Sequence, residues 1–268
     1  MFLKNYLYKR KEKKYLAVTA GQLGQDFSNT SLKDRFVIFT VAFNNSDVIT
    51  HQVRLMDKNM LDKFVHIVVD NSTNKEACGA IKKICHKFNR HYLRLPENLF
   101  STGSNSHALA LNWCMKQIVN KFAPAYFGFI DHDIYPVKKE QLIPLLEQQK
   151  IYGLKQERND IWYLWPGMCF FKYNASVANF DFFPGKINNL NVDTGGLIYS
   201  DLYKHLDKGK LQFPSQTYDN LREGEVFQSD KVEYIGNWMH SFNGSYWMEV
   251  PGKEAELGSL IEKYLQEQ

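Results

Sequence analysis

Strand-like runs alternate with helical segments through the first half of the chain, and this alternation limits the fold more than any other feature. The runs are residues 36–42, 64–69, 92–95 and 127–130, and the segments between them carry apolar residues at helical spacing. The first run is continuously apolar and β-rich, as expected of a strand covered on both faces. Helical crossovers between such strands predict a mostly parallel sheet with right-handed connections, so we expect an α/β fold.

The alternation loosens after residue 137, where turns and long loops become frequent. A short helix is predicted over 139–149, and strand-like runs recur at 161–172 and 231–235. Clusters of Gly, Asn, Pro and Asp separate these runs, but no linker, internal repeat or low-complexity tract divides the chain. We therefore interpret this half as part of the same domain, with antiparallel additions to the sheet.

Composition and charge exclude several classes of protein. The 268 residues are 44% apolar and 23% charged, as in an ordinary globular protein, and the net charge of +4 is too small to indicate a nucleic-acid partner. The four cysteines show no zinc-type spacing and predict free thiols in a reducing compartment. No apolar run reaches the roughly 18 residues of a membrane span and no signal-peptide pattern is present, so we expect a cytoplasmic protein.

Much of the positive charge lies at the extreme N-terminus, where basic and apolar residues interleave. This pattern has two interpretations. The segment is either a short basic helix that contacts the anionic inner face of a membrane, or a solvated tail. The basic residues are Lys4, Lys9, Arg10, Lys11, Lys13 and Lys14, and the apolar ones are Phe2, Leu3, Tyr6 and Leu7.

A pair of carboxylates follows the fourth strand-like run directly. Asp131 and Asp133 are one residue apart, and Pro136 then ends the segment. The carboxyl ends of strands are where open α/β sheets bind their ligands. Two carboxylates there suit Mg²⁺ or Mn²⁺, and such an ion usually accompanies a phosphate-bearing substrate. The motif therefore predicts a metal-assisted transferase that acts on a nucleotide-activated substrate.

Four loop sequences, in order along the chain, resemble those of GT-A nucleotide-sugar glycosyltransferases, and of family-2-like members in particular. They are residues 39–45, 68–72, 97–105 and 129–133. The resemblance implies a GT-A fold, in which a Rossmann-like, mostly parallel sheet is flanked by helices. It also implies three parts within one domain, namely a basic lead-in (1–34), a nucleotide-sugar-binding half (35–137) and an acceptor-binding half (138–268).

The resemblance implies a nucleotide site built from these loops. Asp70 would accept hydrogen bonds from the base, although an aspartate at this place also suits a cap for the following helix. Residues 98–105 are similar to the family's loop along the ribose, where Gly103 permits close backbone approach and Phe100 stands in place of a frequent glycine. The implied nucleotide-binding residues are Asn44, Asp70, Asn98, Gly103, Asn105 and Asp131.

The resemblance also implies a metal site and a reaction. Asp131 and Asp133 match the family's DxD motif, which holds Mn²⁺ or Mg²⁺ on the two phosphates of a donor such as a UDP- or GDP-sugar. His240 is placed where some members supply a third ligand, although a lone histidine is also often structural. The implied reaction is transfer of a hexose-type sugar, with inversion, to a glycan or lipid-linked saccharide acceptor.

Sugar transfer needs a base near the acceptor hydroxyl, and Asp193 is the candidate. Gly195 and Gly196 would let the backbone approach the acceptor, but this sequence equally suits a turn in which the Asp193 side chain bonds the backbone. Trp165 and Trp238 either stack against an acceptor sugar or pack in the core. Rival bases are Asp181, Asp201, Glu223 and Glu225.

Three other classes of protein share some of these features. In a haloacid-dehalogenase-like phosphatase Asp131 would be the nucleophile, but that family places its motif near the start of the domain, and here three strand-like runs precede it. A nucleotidyltransferase would carry a glycine-rich, basic loop after the first strand, and residues 43–47 contain neither glycine nor a basic residue. A non-enzymatic carbohydrate-binding protein would use the aromatic residues without needing the acidic pair.

Overall fold

A six-stranded sheet forms the centre of the computed structural model, which describes residues 2–27, 32–97, 99–100, 102–221, 231–242, 244 and 251–267. The strand order is β3-β2-β1-β4-β7-β6, with β1 to β4 parallel and β7 antiparallel to both β4 and β6. The predicted α/β fold, with its mostly parallel sheet, is confirmed. The strands are β1 (Phe36–Ala42), β2 (Phe64–Asp70), β3 (His91–Arg94), β4 (Tyr126–Asp131), β6 (Ile151–Arg158) and β7 (Ile161–Lys172).

Helices cover both faces of this sheet and connect its parallel strands. Asn45 and Asn74 cap the first two crossover helices, since each side-chain oxygen accepts hydrogen bonds from two backbone N–H groups of the first turn. The helix predicted to start near residue 139 begins at Ile143 instead, with Pro144 in its first turn. The helices are α1 (Phe2–Ala17), α2 (Ser46–Asn59), α3 (Lys75–Lys87), α4 (Gly103–Cys114), which continues through a π-helical segment (Met115–Val119) into α5 (Asn120–Phe122), α6 (Ile143–Gln149) and α7 (Lys253–Gln266).

A second, antiparallel sheet adjoins the end of β4. Its strand order is β10-β11-β12-β5, and only two residues separate the end of β4 from the start of β5. The chain therefore passes from one sheet to the other within residues 131–134. The strands are β5 (Ile134–Pro136), β10 (Gln216–Asn220), β11 (Lys231–Ile235) and β12 (Trp238–His240), and a separate hairpin pairs β8 (Gly185–Ile187) with β9 (Leu190–Val192).

The core lies on both faces of the central sheet. All seven residues of β1 are buried, which explains why its sequence shows no alternation of apolar and polar residues. Phenylalanines fill much of the core: Phe39 stacks on Phe129, with ring centroids 5.3 Å apart, and Phe127 stacks on Phe171 at 5.1 Å. The four cysteines are free thiols, and three of them are buried.

The C-terminal end of α1 belongs to the packed structure, whereas its basic residues face water. Tyr15 is buried, the Trp113 indole N–H donates to the carbonyl of Val18 (2.8 Å), and Gln117 donates to the carbonyl of Leu16 (2.6 Å). These contacts begin at Tyr15, directly after the basic segment that was interpreted as either a membrane contact or a solvated tail. Within the described ranges, no helix has both the length and the apolar character needed to cross a membrane. The exposed basic residues are Lys9, Arg10, Lys11, Lys13 and Lys14.

Candidate functional site

A cleft of about 1050 Å³ opens at the carboxyl ends of β1, β2 and β4. It lies where the topology of an open α/β sheet predicts a ligand site. Residues from the loops after these strands, from the start of α4 and from β12 line it. They include Phe43, Asn71, Ser72, Lys75, Arg94, Glu97, Gly103, His107, Asp131, His132, Asp133, Trp165, His240, Phe242 and Gly244.

The two predicted metal-binding acids lie together in this cleft, but each has its own partner. Asp131 is partly exposed, and its Oδ1 lies 3.3 Å from Nε2 of His107 on α4. Asp133 is buried, and its Oδ2 accepts a hydrogen bond from the backbone N–H of Gly244 (2.8 Å). The motif therefore spans the junction of the two sheets, with Asp131 on the main sheet and Asp133 against the second.

His240 lies next to Asp133 and is held from its other side by a carboxylate. Its Nε2 is 3.7 Å from Oδ2 of Asp133, and its Nδ1 is 2.8 Å from Oε2 of Glu233 on β11. Burial would lower the pKa of His240, but the Asp133 and Glu233 carboxylates outweigh it and raise that pKa. Burial would raise the pKa of Asp133, but His240, His132 and the Gly244 N–H lower it. The three buried side chains thus form one connected group, in which each carboxylate raises the pKa of the histidine.

This donor set fits the predicted divalent ion in its chemistry. Two carboxylates and one imidazole suit Mn²⁺, and a histidine that donates one ring nitrogen to a carboxylate is the usual arrangement of a metal-bound histidine. In the part of the chain that the structure describes, no three histidine, cysteine or carboxylate side chains are already arranged as a metal site. Asp131 and Asp133 instead lie beside the Nε2 atoms of His107 (3.3 Å) and His240 (3.7 Å).

The residue between the two acids has a structural role. The His132 ring is buried, and its Nδ1 accepts a hydrogen bond from the backbone N–H of Phe43 at the end of β1 (3.2 Å). Burial lowers the pKa of His132, which favours the neutral ring that this bond requires. His132 therefore ties the acidic motif to the neighbouring strand end.

Asp70 does not present its carboxylate to the cleft. The side chain has no exposed surface; its Oδ1 accepts from the N–H of Ser72 (2.9 Å) and its Oδ2 from the hydroxyl of Tyr92 (2.6 Å). The alternative, a cap for the following helix, is wrong because Asn74 caps α3. Arg94 lines the cleft instead: its guanidinium is 3.8 Å from Oδ1 of Asp70 and donates to the carbonyls of Asp70 (2.8 Å) and Ser72.

Of the other predicted nucleotide-binding residues, Gly103 lines the cleft, whereas Asn44 and Asn105 form hydrogen bonds within the loops around it. Gly103 lines the cleft at the start of α4, and a Cβ added there would meet no atom within 4 Å. Asn44 ties two loops together, since its Oδ1 accepts from the N–H groups of Thr73 (2.9 Å) and Asn74 (3.0 Å). Asn105 donates to the Thr102 hydroxyl at the start of α4 (2.9 Å). Asn98 lies outside the described residues.

The loop predicted to carry the base lies beside α4. Oδ1 of Asp193 accepts from the N–H of Thr194 (2.7 Å), which is the backbone-bonded turn given above as the alternative. Gly195 has a left-handed φ of 84°, and a Cβ added to Gly196 would lie 2.4 Å from Cβ of Val192, so both glycines are needed by the fold. The Thr194 hydroxyl reaches the carbonyl of Ser104, next to the cleft (3.4 Å). Among the rival bases, Glu223 and Glu225 lie outside the described residues.

The aromatic wall of the cleft differs from the predicted one. The centroid of the His240 ring lies 5.1 Å from that of Trp165 and 4.4 Å from that of Phe242, and all three residues line the cleft. Trp238 is fully buried, and its indole N–H donates to Oε2 of Glu140 (2.9 Å). Trp238 is therefore a core residue, and its predicted contact with an acceptor has no exposed surface to support it.

Sequence reasoning did not identify Lys75, Arg94, His107 or Phe242 as residues of the cleft. Lys75 and Arg94 adjoin the loop after β2, and the end of β3 was interpreted only as a strand end. His107 lies one helical turn after Gly103 and two residues beyond the resembling segment 97–105, and its helical spacing from Gly103 is the signal available for it. Phe242 follows His240 by two residues, but no sequence pattern indicates that it turns toward β4.

Comparison with known proteins gives similarity in structure only. No family model and no curated protein matches the chain. Matching solved structures include TarS from S. aureus (TM-score 0.32, 20% identity, 46% of this chain and 22% of that chain). A second is mannosyltransferase PcManGT from Pyrobaculum calidifontis in complex with GDP-Man and Mn²⁺ (TM-score 0.35, 16% identity, 64% and 52%).

A third match is a shorter TarS structure in complex with UDP (TM-score 0.33, 18% identity, 46% of this chain and 36% of that chain). The chain thus spans between 22% and 52% of the length of these proteins. With TM-scores of 0.32 to 0.35 and identities of 16 to 20%, these matches carry no argument about what this chain does. A shared fold does not determine a function, so the function is argued from the site.

Proposed function

We propose that the chain is a metal-dependent glycosyltransferase of the GT-A class, which moves a sugar from a nucleoside-diphosphate donor to a saccharide acceptor. One observation carries the proposal. Asp131, Asp133 and His240 lie in one cleft at the carboxyl ends of parallel strands, with Lys75 and Arg94 lining the same cleft. Acidic metal ligands together with cationic side chains suit a donor whose phosphates are partly neutralised by an ion.

Asp131, Asp133 and Nε2 of His240 would hold Mn²⁺ or Mg²⁺. Glu233 keeps the His240 ring oriented through Nδ1, which leaves Nε2 directed at the side of Asp133. When bound, the ion would neutralise charge on the departing nucleoside diphosphate. Gly244 orients the Asp133 carboxylate, and Gln52 and Ser241 bond the backbone of the motif.

Arg94 and Lys75 would bind the nucleotide half of the donor. The Arg94 guanidinium is fixed by the carbonyls of Asp70 and Ser72, and its side chain keeps 40% of its surface exposed at the cleft. A guanidinium held in this way offers a positive charge and a flat face for a base or a phosphate, without the entropic cost of ordering a mobile side chain. Gly103 would allow the sugar–phosphate part to approach the backbone of α4.

On the acceptor side, Trp165 and Phe242 would stack against the sugar ring, and Asp193 would accept the proton of the attacking hydroxyl. The support for Asp193 is its loop, whose Thr194 reaches Ser104 next to the cleft. Inversion at the anomeric carbon is proposed by analogy with family-2-like enzymes. The exposed basic residues of α1 would hold the enzyme at an anionic membrane surface, where a lipid-linked acceptor is found.

The proposal is tested by calorimetric titration of UDP, GDP, CDP and dTDP with Mn²⁺, repeated with chelator. We expect one nucleotide to bind only when the metal is present, and Asp133→Asn to weaken that binding by more than about 10-fold. Asp201→Asn, an exposed acid that was a rival candidate, is the matched control and leaves binding unchanged. No binding by any nucleotide, together with hydrolysis of simple phosphate esters, would favour the phosphatase alternative.

A further inference from the structure

We propose that Gln52 is a positioning residue, which sets the spacing of the acid turn (residues 131–134) so that Asp131 and Asp133 act on one metal ion. The inference rests on the proposed function, because it concerns the same metal and donor site. Gln52 contacts neither acid side chain and would act only through the backbone that carries them.

The Gln52 side chain joins the two ends of the acid turn. Gln52 lies on α2 and is fully buried. Its Nε2 donates one hydrogen bond to the carbonyl of Asp131 (2.8 Å) and a second to the carbonyl of Ile134 (2.9 Å). One amide group therefore fixes the distance between the first and the last residue of the turn.

A second set of hydrogen bonds fixes the orientation of this amide. The Thr40 hydroxyl on β1 donates to Oε1 of Gln52 (2.8 Å), and because it has a single hydrogen it must accept from Nε2 of His66 (2.9 Å). If the amide of Gln52 turned over, its oxygen would face two carbonyl oxygens and its NH₂ group would face the Thr40 hydrogen. The order His66, Thr40, Gln52 thus leaves both amide hydrogens for the turn.

The acid turn is also the place where the two sheets meet. Asp131 pairs with Val41 of the main sheet, whereas Ile134 pairs with His240 of the second sheet. The proposed metal ligands consequently belong to different sheets, with Asp131 on one and His240 on the other. The bonds of Gln52 to both ends of the turn hold the two sheets at the separation that the metal site needs.

Asn59 provides a matched control on the same helix. It lies seven residues after Gln52, on the same face of α2, and is also buried. Its Nδ2 donates to the carbonyl of Pro136 (2.7 Å), which is two residues beyond the turn. Replacing Asn59 therefore removes a buried amide-to-carbonyl bond of the same kind without releasing the turn.

The experiment measures Mn²⁺ binding by the electron paramagnetic resonance signal of free Mn²⁺, with the nucleoside diphosphate that the wild type binds. We expect Gln52→Met to weaken Mn²⁺ binding by about 10-fold, as loss of an orienting bond near a metal typically does. Asn59→Leu is expected to bind Mn²⁺ as the wild type does, even where it unfolds at lower urea concentration. Equal losses in the two variants, or no loss in Gln52→Met, would overturn the inference.

Thr40→Val leaves Gln52 itself unchanged, and it is the variant that tests the inference if Gln52→Met does not fold. It removes the bond that orients the amide, so we expect Mn²⁺ binding to weaken by a smaller factor, about 3-fold. When Thr40→Val is combined with Gln52→Met, Mn²⁺ binding should be no weaker than in Gln52→Met alone, because both substitutions act through the amide of Gln52. Additive effects, or unchanged binding in Thr40→Val, would contradict the inference. A wild type that holds no Mn²⁺ with any nucleotide overturns the proposed function itself.

Discussion

Three consecutive residues of the acidic motif point to three different neighbours. Asp131 lies beside His107 of α4, the ring of His132 accepts from the N–H of Phe43 directly after β1, and Asp133 contacts Gly244 and His240 of the second sheet and its following loop. A sequence motif that specifies only the two acids therefore omits the histidine that fixes the turn to the sheet. It also omits Gly244, whose lack of a side chain makes the contact with Asp133 sterically possible.

We predict that Gly244→Ala damages the metal site with little effect on the rest of the fold. A Cβ at this position would lie 2.5 Å from Cβ of Asp133, so the Asp133 carboxylate must move. Nucleotide binding in the presence of Mn²⁺, measured by calorimetry, should weaken by about 10-fold or more. The cost in unfolding free energy should stay within about 3 kcal/mol, the usual range for overpacking.

Gly79→Ala is the control for this substitution. Gly79 is exposed within α3, and a Cβ added there would meet no atom within 4 Å. This variant should bind metal and nucleotide as the wild type does and gain about 0.5–1 kcal/mol of stability, because alanine restricts the unfolded chain and favours a helix. Unimpaired binding in Gly244→Ala would show that the Asp133 carboxylate does not take part in the metal site.

The buried side chain of His66 is expected to lower the free energy of unfolding in acid. Burial, followed by the positive charge of Arg90, lowers the pKa of His66 to about 3. Below about pH 6.5 the unfolded histidine binds a proton that the folded one does not, so the free energy of unfolding falls as the pH drops. This residue alone contributes up to about 1.4 kcal/mol per pH unit between those two values.

Urea denaturation at several pH values between about 4 and about 7 measures this effect. His66→Gln should show a shallower fall in unfolding free energy with acid, because its amide cannot take up the proton but can still donate to the Thr40 hydroxyl. His86→Gln, at an exposed position of α3, is the control and should keep the wild-type slope. Identical slopes in all three proteins would mean that His66 is protonated in the folded state.

At the level of whole elements, the sequence predicts the strands whose pattern of apolar and polar residues matches the burial of their side chains. β1 was predicted over its exact range, and the predictions for β2, β3 and β4 differ from the structure by no more than one residue at each end. Buried parallel strands must be apolar on both faces, and the polar caps of the following helices mark where they end. The same pattern indicates the carboxyl ends of the strands, and thereby the place of the cleft.

The elements that the sequence does not predict depend on contacts distant along the chain. β5 and β12 have three residues each and pair across about a hundred residues, so neither has a period long enough to recognise. The pair His240 and Glu233 depends on this second sheet. The burial of Asp70 is not predicted for a related reason: its position at a strand end is visible in the sequence, but the partners of its carboxylate, Tyr92 and Ser72, are not.

On the scale of the whole molecule, the net charge is small, but positive charge is concentrated on one helix, α1. Five of the basic residues are exposed on the last three turns of α1, whereas the proposed metal site is acidic. Tyr15, Leu16 and Val18 join the end of α1 to the core, whereas the five basic residues from Lys9 to Lys14 are exposed and accessible to another surface. An anionic bilayer attracts each such charge by about 1 kcal/mol, which is weak singly and substantial for five together.

We predict that wild-type protein sediments with vesicles containing phosphatidylglycerol and not with neutral phosphatidylcholine vesicles, and that added salt releases it. Replacing Lys9, Arg10, Lys11, Lys13 and Lys14 by glutamine should abolish the binding, because the attraction is electrostatic. The same replacement at Lys82, Lys83 and Lys87, exposed on α3, is the control for a general loss of charge and should leave most of the binding intact. Vesicle binding that survives neutralisation of α1 would place the membrane contact elsewhere. If wild-type protein does not sediment with anionic vesicles, the basic helix has no role in membrane docking. The acceptor would then have to reach the cleft from solution.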